Sequence, residues 1–195
     1  MITIQEEAER LNRFVGNLLD MTRLESGSLS PKLEAVDLTD VVGTVLRRLS
    51  KLLAGHRIDV RIPPEFPLLR SDFLLLEQVL ANLLDNAAKY SPLGSCIRIE
   101  ALAERGIASI RVMDEGEGIP VEALTRIFDK FYRVTAGDRQ RAGTGLGLAI
   151  CRGFVEAMNG TITAGNRSDR PGALFTVILS TSASPIIAVG ADSQP

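Results

Sequence analysis

The sequence contains no tryptophan, one histidine and two cysteines among 195 residues. Cys96 and Cys151 lack the spacing of metal ligands, so we expect two buried structural thiols in a reducing compartment. No apolar run approaches the roughly 20 residues that span a bilayer, and the polar, acidic N-terminus argues against a signal peptide. With 22 basic and 24 acidic residues, the charge gives no indication of nucleic-acid binding. The composition is that of a cytosolic protein or of the cytosolic part of a membrane protein.

The first 26 residues are patterned as one long amphipathic helix. Residues spaced by four and three form a seam of the coiled-coil type, namely Ile4, Ala8, Leu11, Val15, Leu18 and Thr22. Gly27 and Pro31 predict the end of this helix. Because a single helix cannot bury such a seam, we expect partner helices. The alternative is that the helix folds back on the domain that follows.

The remaining pattern mixes helices with antiparallel hairpins. It predicts strands at 33–36, 57–62, 68–70, 96–103, 108–114, 161–165 and 173–179, and helices at 37–53, 73–90, 121–127 and 146–158. We expect Asp37 to cap the first of these helices and Ser71 or Asp72 to cap the second. Such a mixture favours an α+β fold, a two-layer α/β sandwich. We divide the chain into residues 1–30, 31–181 and a frayed tail at 182–195.

The helix predicted at 73–90 carries an unusual polar face. Gln78, Asn82, Asn86 and Lys89 follow one another at helical spacing, although asparagine is a poor helix former. An amide oxygen can coordinate Mg²⁺ and an amide nitrogen can donate to a phosphate. These positions therefore suggest a site for a magnesium-bound nucleotide. The alternative is an ordinary solvated face.

The segment IRVMDEGEGIP places a carboxylate and two glycines at the end of a strand. Asp114 is an acceptor that suits the exocyclic amine of adenine but not the corresponding carbonyl of guanine. Gly116 and Gly118 allow a close backbone approach. A plain turn between strand and helix would explain the glycines but not the aspartate.

Two further segments complete the pattern. GTGLGLAI at 143–150 opens a helix and offers free backbone N–H groups to phosphate, although it matches neither the Walker A nor the GxGxxG motif. In FDKFYR at 128–133, we expect Phe128 and Phe131 to fill an apolar slot. Lys130 and Arg133 would meet a γ-phosphate if the polar stretch 129–144 closes as a lid. The plainer alternatives are a helix after a flexible loop and a packed turn with surface cations.

The four segments, in this order and spacing, resemble the catalytic, ATP-binding domain of sensor histidine kinases, within the ATPase superfamily shared with gyrase, Hsp90 and mismatch-repair proteins. The likeness covers about residues 33–180, and the leading helix resembles the second helix of the dimerisation and phosphotransfer hairpin. LLDMTRLESG and LLAGHRIDV are most similar to the potassium-sensing kinases of the Kdp system. The resemblance implies a Bergerat-type fold, a mostly antiparallel mixed sheet with helices on one face.

The resemblance also implies ligands and roles. ATP and Mg²⁺ would be bound, with Asn86 as the Mg²⁺ ligand and Asn86, Lys89 and Arg133 as the catalytic residues. The implied ATP-binding residues are Asn82, Asn86, Lys89, Tyr90, Asp114, Gly116, Gly118, Ile119, Lys130, Arg133, Gly143, Thr144, Gly145, Leu146 and Gly147. Its implied partners are the receiver domain of a response regulator and a second copy paired through the dimerisation helix, in a protein anchored to the inner membrane.

One departure limits this expectation. The family's phosphoacceptor is a histidine followed by an acidic residue, whereas the one histidine here, His56, precedes Arg57. We interpret His56 as structural and expect the chain to bind Mg-ATP without phosphorylating itself on histidine. Two alternatives stay open, namely another ATPase or serine kinase of the superfamily, and a non-catalytic nucleotide-binding dimerisation module.

Overall fold

A computed structural model describes residues 4–134 and 144–182. Its helices are α1 (Ile4–Glu25), α2 (Leu38–Arg48), α3 (Ser50–Leu53), α4 (Phe73–Tyr90) and α5 (Gly147–Ala157). Its strands are β1 (Glu34–Val36), β2 (Arg57–Arg61), β3 (Leu69–Ser71), β4 (Cys96–Glu104), β5 (Ile107–Met113), β6 (Thr161–Asn166) and β7 (Ala173–Ser180). Among these described residues, no helix is both long enough and apolar enough to cross a membrane.

The main sheet has five strands in the order β2-β4-β5-β7-β6. Only β2 and β4 run parallel, and the chain between them makes the long crossover that a parallel pair requires. The pairs β4–β5, β5–β7 and β6–β7 are antiparallel. A separate two-stranded sheet joins β1 to β3. This confirms the predicted α+β sandwich with a mixed, mostly antiparallel sheet.

One face of the main sheet is buried under the helices. Along β4, β5 and β7 alternate residues point into the core, as the period of a strand requires, with Ile99, Val112 and Phe175 in neighbouring register. α4 lies against β4 and β5, and α5 packs on α4 and β6. On the opposite face polar side chains pair across strands, as in the 2.8 Å ion pair between Arg98 Nε and Asp59 Oδ2.

Asp72, rather than Ser71, caps α4. Its Oδ1 accepts hydrogen bonds from the backbone N–H groups of Leu74 and Leu75 at 3.0 and 3.2 Å. Its Oδ2 accepts from the backbone N–H of Lys32 at 2.8 Å, which ties the segment after α1 to the start of α4. Asp37 caps α2 in the same way, accepting from Thr39 N at 2.7 Å.

Three local predictions were wrong. The helix expected at 37–53 breaks at Leu49, whose ψ of 11° leaves the helical range and separates α2 from α3. The helix expected at 121–127 is a 3₁₀ turn at Val121–Ala123, and the residues after it continue with i→i+3 hydrogen bonds such as the 2.9 Å bond from Arg126 N to Ala123 O. Cys96 is only half-buried because it alternates with buried Ile97 at the start of β4, whereas Cys151 is buried as expected.

The N-terminal helix combines features of both interpretations made from the sequence. Its last turns pack on the domain, where Met21 is buried and an ideal Cβ on Gly153 of α5 would lie 2.6 Å from a methyl carbon of Leu24. Earlier in the helix, Leu11 and Val15 are 62% and 46% exposed. Part of the apolar seam is therefore uncovered in the single chain. The proposed domain limits stay predictions, and residues 183–195 of the expected tail lie outside the described residues.

The Asp72 cap can be tested with two substitutions. We expect Asp72→Ala to lower the free energy of unfolding by about 1–2 kcal/mol, because it removes the acceptor of the first-turn N–H groups. Asp72→Asn is the control, since asparagine caps a helix about as well and loses only the bond that Oδ2 accepts from Lys32 N. Urea unfolding of both variants measures the difference, and equal losses in the two would contradict the capping role.

Candidate functional site

Asn82 lies on α4 beside the beginning of α5. An ideal Cβ on Gly147 would lie 3.8 Å from the Asn82 side-chain oxygen. The Asn82 Nδ2 is buried and has no hydrogen-bond partner among the residues that the structure describes. Burial raises the pKa of the neighbouring Cys151 thiol to about 12, and a contact with the Asn82 side chain opposes this rise. Since a thiol is only a weak acceptor, the Asn82 amide keeps an unmet capacity to donate.

Asn86, Lys89 and Tyr90 follow on the last turns of α4. Asn86 is half-buried, one helical turn after Asn82. The Lys89 ammonium forms an ion pair with the Asp85 carboxylate on the same helix. Tyr90, the final residue of α4, is 40% exposed. α4 therefore carries the predicted amides and cation along one side of the helix.

The Asp114 carboxylate is fixed where β5 ends against β7. The backbone N–H groups of Gly116 and Ala173 donate to its Oδ1 at 2.8 and 3.0 Å. Its Oδ2 accepts no hydrogen bond within the described part of the chain. Burial raises the pKa of Asp114 above its usual value, while the two N–H groups and the Arg167 guanidinium oppose that rise. The site thus holds a buried carboxylate with one oxygen left to accept a donor.

The glycines of this loop bring it close to two other segments. A Cβ on Gly116 would lie only 2.4 Å from the Tyr90 carbonyl oxygen, so any larger residue would push the loop off the end of α4. Gly118 has φ +83°, and a Cβ there would lie 2.7 Å from Asn166 Oδ1. Asn166 bonds both the N–H and the carbonyl of Ile119, each at 2.7 Å. The predicted Asp114, Gly116, Gly118 and Tyr90 therefore lie together.

The start of α5 forms the third side of the site. The side chain of Thr144 accepts from Leu146 N at 3.2 Å, and Leu146 itself is buried. The N-cap residue of α5, Leu146, makes no side-chain cap, so within the described residues the N–H groups of the first turn and the helix dipole remain available to an anion. Gly145 has φ +72°, and a Cβ there would lie 2.8 Å from the Phe131 carbonyl carbon.

The FDKFYR segment departs from its expected packing. Phe128 is buried and meets the Phe175 ring edge-on at 6.5 Å between centroids, as predicted. The prediction that Phe131 is buried was wrong, since its side chain is 65% exposed. Its backbone is left-handed (φ 62°), and its N–H donates to the Gly145 carbonyl oxygen. Lys130 forms an ion pair with Glu25 of α1. Arg133 is half-buried, and Gly143 lies outside the described residues.

Sequence reasoning missed the loop between β6 and β7. Arg167 donates from Nη1 to the Asp114 carbonyl oxygen at 3.0 Å, and Arg170 donates from Nη1 to Glu115 Oε1 at 2.8 Å. Glu115 Oε2 in turn accepts from Cys96 N at 2.9 Å. The one available signal was a polar, charged stretch, NRSDRPG, too long for a two-residue hairpin turn.

Taken together, these groups suit an adenine nucleotide. Asp114 offers an acceptor, Asn82 a buried donor, and α5 an uncapped helix start. The described residues include no cluster of three or more His, Cys, Asp or Glu that could hold a metal ion. An Mg²⁺ ion would instead need an amide oxygen such as that of Asn86, together with phosphate oxygens.

His56 lies apart from these groups. It is half-buried just before β2, and its Nδ1 lies 3.4 Å from Ser95 Oγ. This local contact agrees with the structural role expected for it.

Comparison with known proteins adds independent findings. Residues 71–183 match the family described as histidine kinase-, DNA gyrase B-, and HSP90-like ATPase. The chain is 40% identical over 175 residues to the sensor protein KdpD of Clostridium acetobutylicum, covering 88% of this chain and 19% of that protein. It is 41% identical to KdpD of Escherichia coli K12 over 184 residues, covering 93% and 20%. The chain thus spans about a fifth of the length of these curated relatives.

Solved structures show the same likeness. Full-length ShkA in complex with AMPPNP superposes with a TM-score of 0.78 at 28% identity, covering 93% of this chain and 38% of ShkA. The mycobacterial sensor histidine kinase MprB gives 0.69 at 29% identity, covering 76% of this chain and 98% of MprB. The chain belongs to the histidine kinase-, DNA gyrase B- and HSP90-like ATPases, and the relatives it matches within that family are sensor histidine kinases.

Proposed function

We propose that this chain binds Mg-ATP and presents the γ-phosphoryl group to a histidine, acting as the catalytic domain of a two-component sensor kinase. The observation that carries the proposal is the buried Asp114 carboxylate, held through Oδ1 by Gly116 N and Ala173 N. An acceptor held in this way suits the adenine amine. Guanine has a carbonyl oxygen at that ring position, and this oxygen and the carboxylate oxygen would repel each other because both are acceptors.

The residues of α4 and α5 suit the phosphates. Asn82 Nδ2 is a buried donor without a partner in the described chain, and a phosphate oxygen would satisfy it. The uncapped first turn of α5 lies beside Asn82 and adds backbone N–H groups. We assign Asn86 as the ligand of Mg²⁺ through its side-chain oxygen. Mg²⁺, when bound, neutralises charge on the phosphates.

The remaining cations are assigned by their position. Lys89 forms an ion pair with Asp85 at the same end of α4, from which it would exchange to a phosphate. Lys130 forms its ion pair with Glu25 of α1, so a role at the γ-phosphate requires that pair to open. Arg133 keeps its proposed role as a contact of the γ-phosphate. These assignments supply positioning and charge rather than covalent chemistry, as phosphoryl transfer requires.

The proposed transfer breaks the bond between the γ-phosphorus and its bridging oxygen and forms a bond to an imidazole nitrogen. ADP leaves, and the imidazole proton passes to an acidic side chain beside the acceptor. The one histidine of the chain, His56, contacts Ser95, so we place the acceptor on a separate dimerisation hairpin. From there the phosphoryl group would pass to an aspartate of a response regulator.

The wider setting follows from the resemblance to Kdp kinases. We propose that the whole protein works as a homodimer in potassium or osmotic sensing. It would be anchored in the inner membrane, with this part on the cytoplasmic side. The similarity to two KdpD sensor proteins at 40% and 41% identity supports this proposal.

Transfer to histidine can be measured directly. The chain is incubated with Mg-ATP labelled in the γ-phosphate and with the purified dimerisation hairpin of the Escherichia coli relative. We expect label on the hairpin that is stable in alkali and labile in acid, and none on a hairpin whose acceptor histidine is replaced by glutamine. Acid-stable label on a hydroxyl side chain, or release of free phosphate alone, would contradict a histidine kinase and favour another ATPase of the family.

The metal assignment is tested by Asn86→Ala. We expect ATP affinity in Mg²⁺ to fall by about 10- to 100-fold, because an interaction with a charged group is lost. In EDTA the substitution should change affinity little. Gln78→Ala is the matched control, since Gln78 lies on the same helix but donates to Asp20 of α1 at 2.6 Å. Calorimetric titration of both variants decides the question, and an equal loss with and without Mg²⁺ would refute the assignment.

A further inference from the structure

The loop between β6 and β7 holds a buried arginine that the proposed chemistry does not use. The side chain of Arg167 is only 3% exposed. Its Nε and Nη2 donate to the two carboxylate oxygens of Asp169 at 3.0 and 2.7 Å, as a two-pronged fork. Its remaining bond, from Nη1, goes to the backbone carbonyl of Asp114 at 3.0 Å. One guanidinium thus links an exposed carboxylate to the backbone of the residue assigned to adenine.

The backbone around Asp114 is held tightly on this side. An ideal Cβ on Gly172 would lie 2.1 Å from the Asp114 carbonyl oxygen and 3.0 Å from Arg167 Cδ. Asp114 N donates to Ala173 O at 3.1 Å, and Ala173 N returns a bond to Asp114 Oδ1 at 3.0 Å. The backbone and side chain of Asp114 are therefore positioned together, and Arg167 holds the carbonyl end of this arrangement.

A purely structural role would not need a charge here. Burying a guanidinium costs desolvation energy that its ion pair offsets only in part, and an apolar residue often serves stability as well or better. The Arg167 guanidinium, however, supplies a cation near the Asp114 carboxylate, which otherwise lies in surroundings that disfavour charge. It opposes the rise in the pKa of Asp114 that burial causes. A charged carboxylate accepts a stronger hydrogen bond than a neutral one.

We propose that Arg167 is a positioning residue for adenine recognition, acting through the carbonyl and the carboxylate of Asp114. This inference rests on the proposed function, because it assumes that Asp114 accepts the adenine amine. We place Arg167 behind Asp114, without a contact of its own to the nucleotide. It determines how well the Asp114 carboxylate distinguishes a purine that has a 6-amino group from one that lacks it.

The test compares two nucleotides that differ only at that group. Mg-ATP and the Mg complex of purine riboside triphosphate, which has hydrogen in place of the amine, are titrated calorimetrically into the full chain and into Arg167→Met. The unsubstituted chain should bind ATP at least about tenfold more tightly than the analogue. In Arg167→Met we expect ATP affinity to fall about tenfold while affinity for the analogue changes less than about twofold.

Arg170→Met is the matched control. Arg170 lies in the same loop and is half-exposed, and it donates to Glu115 and Asp169 rather than to Asp114. Its substitution should leave the ratio of the two affinities unchanged. Arg167→Lys serves as a second variant if Arg167→Met does not fold, because it keeps a cation but loses the planar fork that bonds Asp169 and the Asp114 carbonyl together. It should lower the ratio in the same direction.

The outcomes separate this inference from the function on which it rests. A lowered ratio in Arg167→Met or Arg167→Lys, with a normal ratio in Arg170→Met, supports the positioning role. An unchanged ratio, with or without an equal weakening of both nucleotides, overturns the positioning role but leaves the proposed function standing. Failure of the unsubstituted chain to bind either nucleotide overturns the proposed function, and this inference with it.

Discussion

The fixed position of the Asp114 carboxylate is the constraint on which the rest of the site depends. A carboxylate this deeply buried is costly unless hydrogen bonds satisfy it. Here Gly116 N and Ala173 N both reach one oxygen, which ties the loop after β5 to the first residue of β7. Because these bonds are made within the fold, the second oxygen needs little rearrangement to accept a ligand's donor. Preorganisation of this kind reduces the entropy that binding must lose.

The other elements are arranged around that loop through close backbone contacts. Gly116 touches the end of α4 at Tyr90, and Gly147 begins α5 beside Asn82. Three separate segments of the chain thus meet without a single covalent or metal crosslink among the described residues. Glycine allows these segments to approach one another closely. A side chain at Gly116 or Gly172 would collide with backbone atoms, so the position of the Asp114 loop depends on glycine at both places.

Much of the fold and several residues of the candidate site could be predicted from the sequence, because the residue patterns that indicate them are local. Helical spacing placed Asn82 and Asn86 on one side of α4, and the alternation of residues predicted the strands of the antiparallel hairpins. The break at Leu49 and the exposure of Phe131 depend on backbone angles that no residue pattern specified. The contact between Arg167 and Asp114 joins residues 53 positions apart. Neither residue has a neighbour in sequence that indicates the other, so only the folded chain shows their pairing. The roles of Asn86, Lys89, Lys130 and Arg133 stay predictions.

We propose above all that the site distinguishes adenine through Asp114. The most direct measurement is the thermal unfolding midpoint of the unsubstituted chain with Mg-ATP and, separately, with Mg-GTP. A ligand at a hundredfold excess over its dissociation constant stabilises the folded state by about 2.7 kcal/mol. We therefore expect Mg-ATP to raise the midpoint by roughly 5–10 °C and Mg-GTP to leave it unchanged. An equal rise with GTP would contradict the role of Asp114, and no rise with either nucleotide would contradict the site itself.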